Sequence, residues 1–123
     1  MLNVKWKTNE ILDLSFNFAL DIIELTKYLK MNKEFVISNQ LLKSGTSIGA
    51  NVSEAQAAQS AKDFIAKMSI ASKEARETEY WIRLLDKSKT IDSYKNKSKL
   101  FDQIHSIIKL LTSIIKTTQE KSR

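Results

Sequence analysis

The chain has no cysteine, no proline and only two glycines in 123 residues. Without cysteine there can be no disulfide, no thiolate metal site and no catalytic thiol. β-Sandwiches and barrels need turn residues roughly every 8–12 positions, which two glycines and no proline do not supply. A glycine-rich phosphate loop is excluded for the same reason. Long apolar runs are also missing. No window approaches the roughly eighteen apolar residues that a bilayer-spanning helix requires, so no membrane association is expected. Lys5, Lys7, Glu10 and Asp13 interrupt the first sixteen residues, which leaves no apolar core for a signal peptide. The expected location is the cytoplasm, which the lack of cysteine fits.

At 42% hydrophobic and 28% charged residues, the composition is that of a folded chain. Its length suits one domain spanning residues 1–123. Helical periodicity runs through almost all of it. A first helix is predicted from about Asn9 to Lys30, with Ile11, Phe18, Ile22, Leu25 and Leu29 on one face and Leu12, Phe16, Ala19 and Ile23 beside them. The second starts near Ser38 and carries Leu41, Gly45, Ile48, Val52 and Ala55. The third opens at Ser60, a capping residue, with Asp63 favouring its first turn. Its seam is Ala61, Phe64, Met68, Ala71, Ala75, Thr78, Ile82 and Leu85. The fourth begins between Asn96 and Leu100, with Phe101, Ile104, Ile108, Leu111 and Ile115 on its seam. Links around Asn32 to Ile37, Gln59–Ser60 and Lys87 to Asn96 are short enough to force neighbouring helices antiparallel. The expected fold is all-α, an up-down-up-down antiparallel four-helix bundle.

Both glycines fall inside the second helix, at Gly45 and Gly49. Each costs on the order of 1 kcal/mol relative to alanine there, so a compensating contact is expected. Folding the second and third helices about Gln59–Ser60 brings Gly45 near Glu74 and Gly49 near Ile70, which predicts a close approach of those two helices. A second apolar row on the third helix (Ile70, Trp81, Leu84) and another on the fourth (Leu100, Ile107, Leu111, Ile114) exceed what one core hides. They imply burial against another copy of the chain.

Catalytic patterns are sparse. His105 is the only histidine, too few for a di-metal bundle site, and Asp102 rather than Glu stands three residues before it. His105 is read as a helix-surface or seam-edge residue. No metal, no cofactor and no catalytic residue are expected. Glu79 stands four residues before Arg83, and Lys73 four before Glu77, the spacing of ion pairs on solvated helix faces. Ser44, Ser47, Asn51 and Glu54 form a polar stripe beside the seam of the second helix, with Glu74 opposite. Such a stripe is either a structural polar network that fixes register or a small-ligand cleft.

Charge is distributed unevenly. Residues 1–86 hold 11 basic and 11 acidic groups, whereas residues 87–123 hold 9 and 3, so the last third carries the whole net charge of +6. Lys87, Lys89, Lys95, Lys97 and Lys99 crowd the third link. In an up-down bundle Lys27, Lys30 and Lys33 lie at the same end. Those eight lysines are a candidate footprint for phosphate backbones of RNA or DNA, read by charge rather than by base. A solvated bundle end is the other reading of the same residues.

The run Gln40-Leu41-Leu42-Lys43-Ser44-Gly45-Thr46-Ser47-Ile48-Gly49-Ala50-Asn51-Val52-Ser53-Glu54-Ala55 resembles the signature of the bacterial 23S ribosomal RNA intervening-sequence proteins, also called four-helix bundle proteins. Ser60-Ala61-Lys62-Asp63-Phe64-Ile65-Ala66-Lys67, followed by Lys73 to Trp81, is similar to that family's third helix, and Ile114 to Thr117 to its closing helix. The resemblance implies a left-handed bundle assembled as a homopentamer, a hollow ring. The family takes its name from genes lying within insertions in 23S ribosomal RNA genes, and some members carry the label ribosomal protein S23. A related group, the accessory variability determinant of diversity-generating retroelements, binds a reverse transcriptase and nucleic acid. The family has no catalytic residues to carry over. The Asn and Glu of its second-helix motif fall on Asn51 and Glu54. The combined expectation is a non-enzymatic homo-oligomer that binds nucleic acid, structured RNA in the first place, through its lysine-rich end. The alternatives are a scaffold for a protein such as a polymerase and a small-ligand binder using the polar stripe.

Overall fold

A computed structural model describes residues 5–122, with side chains from Thr8 onward. Four helices account for most of it: α1 (Lys5–Met31), α2 (Phe35–Ala55), α3 (Ala61–Lys87) and α4 (Lys97–Lys121). No strand occurs among the described residues, and none of their helices is long and apolar enough to cross a membrane. Each helix borders two others: α1 packs on α2 and α4, and α3 packs on α2 and α4. This is the neighbour pattern of a four-helix bundle.

The predicted seams of α1, α2 and α3 are the buried ones, except that Ala61 at the start of α3 is only partly buried. Ile11, Phe18, Ile22, Leu25 and Leu29 of α1 meet Leu41, Ile48 and Val52 of α2 and Phe64, Met68, Ala71, Ala75, Ile82 and Leu85 of α3 in one core. Helix α4 differs from expectation. Its buried row is Leu100, Ile104, Ile107, Leu111, Ile114 and Thr118, while Phe101, Ile108 and Ile115 are only partly buried. The buried row keeps Ile104 and Leu111 of the expected seam and takes Leu100, Ile107 and Ile114 from the second row; spacing alone does not say on which side of Ile104 and Leu111 the core lies.

Helix ends follow local chemistry. Ser60 caps α3 by accepting from the Asp63 N–H at 3.0 Å, and Asp63 Oδ2 accepts from the Gln59 N–H at 3.3 Å. Helix α2 starts earlier than predicted, because the Ser38 N–H already bonds the Glu34 carbonyl. Helices α1 and α3 end alike. Lys33 and Lys89 adopt left-handed backbone angles, with φ of 64° and 63°. The Lys33 N–H bonds the Lys30 carbonyl and the Glu34 N–H that of Leu29; Lys89 and Thr90 repeat this on Asp86 and Leu85. This is the Schellman arrangement, in which glycine normally takes the left-handed position.

The two glycines lie inside α2 as expected, but they pack against a different helix. A Cβ on Gly45 would stand 2.9 Å from Cγ2 of Ile22, and one on Gly49 would stand 3.4 Å from the Ser15 carbonyl oxygen. Both face α1, not α3. Glycine at 45 lets α2 seat against the branched side chain of a core isoleucine, and that contact offsets its helix-propensity cost. Between α2 and α3 the register is marked instead by a 2.9 Å hydrogen bond between the buried hydroxyls of Thr78 and Ser44.

Candidate nucleic-acid interface

The lysine-rich end is assembled from the two Schellman turns and the connector at residues 88–96. Tyr94 of that connector meets Tyr28 of α1 with ring centroids 4.9 Å apart, and Ile91 is fully buried. The connector is thereby held against the end of α1. Burial raises the Tyr94 phenol above its ordinary value of 10.0, a bond to Asn96 working the other way.

The eight lysines fall into two groups. Lys27 pairs with Glu24 at 3.2 Å, Lys99 with Asp21 at 3.1 Å, and Lys97 with Asp86 at 2.9 Å. The Asp86 hydrogen bond raises the Lys97 ammonium above 10.5, with desolvation opposing. Lys30, Lys33, Lys87, Lys89 and Lys95 are exposed, and none has a carboxylate within ion-pair distance among the described residues. Their charge is available to an outside anion.

The polar stripe does not come together as one connected network. Ser44 is buried and shares its hydrogen bond with Thr78, whose hydroxyl also reaches the Glu74 carbonyl at 2.8 Å. Ser47 donates to the Lys43 carbonyl and Asn51 to the Ser47 carbonyl, both within α2. Glu54 is exposed and the Glu74 side chain half-buried. Thr78, which periodicity reads as a seam residue, supplies the link.

The sequence reading missed the outer furrow between α3 and α4. Glu79 does not pair with Arg83 as its spacing predicts; its Oε2 lies 2.9 Å from His105 Nε2. Glu77 likewise accepts from the Trp81 indole N–H at 3.2 Å and makes no ion pair with Lys73. Three adjoining clefts lie along α3; the first is lined by α3 alone, and the second and third open between α3 and α4. One of about 180 Å³ is lined by Tyr80, Arg83, Leu84 and Lys87. The next, about 330 Å³, shares Arg83 and Lys87 and adds Glu79, Asp86, Phe101 and His105. The third, about 410 Å³, shares Glu79 and His105 and adds Arg76, Ile108, Lys109 and Thr112. The seven-residue interval between Arg76 and Arg83, two turns on one helix face, was the available signal. Arg123, the third arginine, lies outside the described residues.

The family model for the 23S rRNA-intervening sequence protein matches residues 7–113. The chain belongs to that family. The match takes in the lysine-rich end, the polar stripe and the furrow. The chain is also similar to a crystal structure of a protein of unknown function from the S23 ribosomal protein family of Bacteroides thetaiotaomicron VPI-5482. Identity is 50% over 89% of this chain and 98% of that one, with a TM-score of 0.84. No curated protein sequence matches the chain.

Proposed function

We propose that this family member is a non-enzymatic helical bundle of the cytoplasm that assembles with copies of itself and binds structured RNA electrostatically through its lysine-rich end. The bundle is up-down-up-down, a reading supported by the residue order at the helix contacts. Thr26, Ile22 and Ser15 of α1 meet Ser38, Gly45 and Gly49 of α2, and Asp86 and Glu79 of α3 meet Lys97 and His105 of α4. Its left-handed twist and its pentameric state are what the family resemblance implies. Exposed Phe16 and Leu20 on α1, with Ile70 and Leu84 on α3, are the apolar surface that such an assembly would bury.

One observation carries the binding reading. Lys33 and Lys89 occupy left-handed positions where lysine costs more than glycine, and both belong to the group with no carboxylate partner. Lysine kept where glycine would cost less leaves two unpaired charges at the tip of this end, which supports the anion-binding reading. Replacing both, Lys33→Gly and Lys89→Gly, is expected to stabilise the fold by about 0.5–1 kcal/mol each. It is also expected to weaken binding of a labelled RNA hairpin and to flatten its logarithmic salt dependence by roughly two. Thermal melts and fluorescence anisotropy between about 50 and 200 mM salt measure both. Hairpin affinity unchanged in the more stable variant would remove the interface from this end. Light scattering tests the assembly: a mass about five times 14.1 kDa is expected, and a monomer at micromolar concentration would refute it.

A second reading, a scaffold that docks another protein, is favoured by the exposure of Phe16 at 65%. Under that reading binding would change little with salt and would fall with Phe16→Ser.

A further inference from the structure

We infer that the furrow between α3 and α4 is a track for unpaired nucleic acid, distinct from the lysine-rich end and opening onto it at Lys87. The inference rests on the nucleic-acid reading above and deepens it by naming what the second surface recognises.

The charge balance is the first argument. Of the furrow's two carboxylates, Asp86 is neutralised by Lys97 at 2.9 Å, and Glu79 is turned to His105 at 2.9 Å, so that at most one negative charge stands against four cations. Arg76, Arg83, Lys87 and Lys109 line the same clefts, and none has a carboxylate within ion-pair distance among the described residues. Had Glu79 turned to Arg83, as an exposed i,i+4 pair would, one of these cations would be neutralised. His105 draws it away.

The second argument is chemical type. Most of the chain's cations are lysine, yet both described arginines lie here. The guanidinium offers planar, bidentate bonding to phosphate and stacks on ring faces, which lysine does not. Rings are at hand. Phe101 and His105 have centroids 6.1 Å apart and line one cleft together with Arg83. Cations that follow a backbone, interleaved with stacking platforms, are the requirements for binding a single strand without base readout.

The third argument is shape. Helices packed about 8–10 Å apart leave a furrow that one strand can enter and a duplex can only bridge. Along α3, Arg76 to Arg83 to Lys87 spans about 10 and then 6 Å at 1.5 Å per residue. The track therefore ends at the lysine-rich end, where a paired stem would sit.

The test uses the intact chain and two labelled probes: an oligouridylate of about 12 nucleotides, within ordinary single-strand site sizes, and a blunt RNA duplex of equal phosphate count. Arg76→Ala with Arg83→Ala is expected to weaken oligouridylate binding by about tenfold and its salt slope by about 1.4, the share of two phosphate contacts on a single strand. Duplex affinity should stay within about twofold. The Lys33→Gly, Lys89→Gly variant should weaken the duplex more than the oligouridylate. Phe101→Leu should weaken the oligouridylate at unchanged salt slope, since it removes stacking and no charge. Circular dichroism of each variant checks that it remains helical, as the test requires. Equal loss on both probes, or no loss on the oligouridylate, overturns the track while leaving the lysine-rich end in place. Failure of the unaltered chain to bind either probe overturns both readings. Displacement of oligouridylate by oligoglutamate at equal charge concentration would reassign the furrow to an acidic protein segment.

Discussion

Between α1 and α2 the chain places glycine, serine and threonine; between α3 and α4 it places arginine, glutamate, histidine and lysine. Gly45 and Gly49 lie directly on Ile22 and Ser15, and the Ser38 hydroxyl donates to the Thr26 carbonyl at 3.3 Å. Across the other seam the contacts are long side chains meeting at their tips, His105 with Glu79 and Lys97 with Asp86, with clefts outside them. Small residues let backbones approach and leave nothing for a ligand to enter. Long charged residues keep a furrow open and supply groups to line it. Both helix pairs share one core, and under the proposed reading only the outer edge of the α3–α4 seam is left for recognition.

The strongest way to break that division is to truncate one residue from each seam. Ile22→Ala removes a fully buried side chain and is expected to cost about 2–5 kcal/mol, as core isoleucine truncations do. Arg83→Ala removes an exposed side chain with no ion-pair partner among the described residues and is expected to change stability by less than about 0.5 kcal/mol. Chemical denaturation with parallel slopes measures both. A loss at Arg83 as large as that at Ile22 would show that the outer seam also holds the fold together.

The glycines sharpen the comparison inside the closed seam. A Cβ at Gly45 would come within 2.9 and 3.0 Å of the two Cγ atoms of Ile22. Such overpacking costs about 1–3 kcal/mol, against a gain of roughly 1 kcal/mol in helix propensity. At Gly49 the nearest atoms are at 3.4 Å, an ordinary contact, so only the propensity gain is left. Gly45→Ala is therefore expected to destabilise by about 1 kcal/mol and Gly49→Ala to stabilise by about 0.5–1 kcal/mol. In an Ile22→Ala background the Gly45→Ala penalty should shrink, because the colliding methyl and methylene are gone. Denaturation midpoints of the four single and double variants check the sign at each site.

Much of this was legible in the chain. Three-four spacing placed the buried faces of α1, α2 and α3, and the Ser60 cap marked the start of α3. The limits were those of a one-dimensional pattern. A helix has two flanks, and spacing does not say which one a glycine serves, so Gly45 was paired with α3 when Ile22 of α1 was its neighbour. The same ambiguity reversed the two rows of α4. At the lysine-rich end, link residues could be gathered from charge alone, but which of them are neutralised depends on tertiary geometry. Lys97 and Lys99 find Asp86 and Asp21 from other helices. The furrow was hidden for a related reason. Glu79 has Arg83 one turn away and His105 across the seam, and only the fold decides between them.

The smallest expected effect concerns the connector that joins the open seam to the closed core. Tyr94 and Lys97 both have folded-state pKa values above their ordinary 10.0 and 10.5. The first is raised by burial against α1, the second by its hydrogen bond to Asp86. A group with a raised folded pKa binds its proton more tightly in the folded state, so its contribution is complete below the unfolded value and is lost as pH rises through the folded one. Both groups therefore act in the same direction and in the same window, starting near pH 10. The melting temperature is expected to be insensitive to these two groups at neutral pH and to fall above about pH 10, as the phenol ionises against its apolar contact with Tyr28 and the ammonium loses its charge beside Asp86. Tyr94→Phe keeps the ring contact and removes the titrating hydroxyl, so the alkaline fall should become shallower while the neutral-pH melt hardly moves. Lys97→Met should also flatten the fall, but by lowering the neutral-pH plateau, because it leaves Asp86 without its partner. Melting curves taken from pH 7 to 11 separate the two signatures. An alkaline limb unchanged in both variants would mean that the connector's ionisable groups do not hold it against α1, leaving the burial of Ile91 to do so.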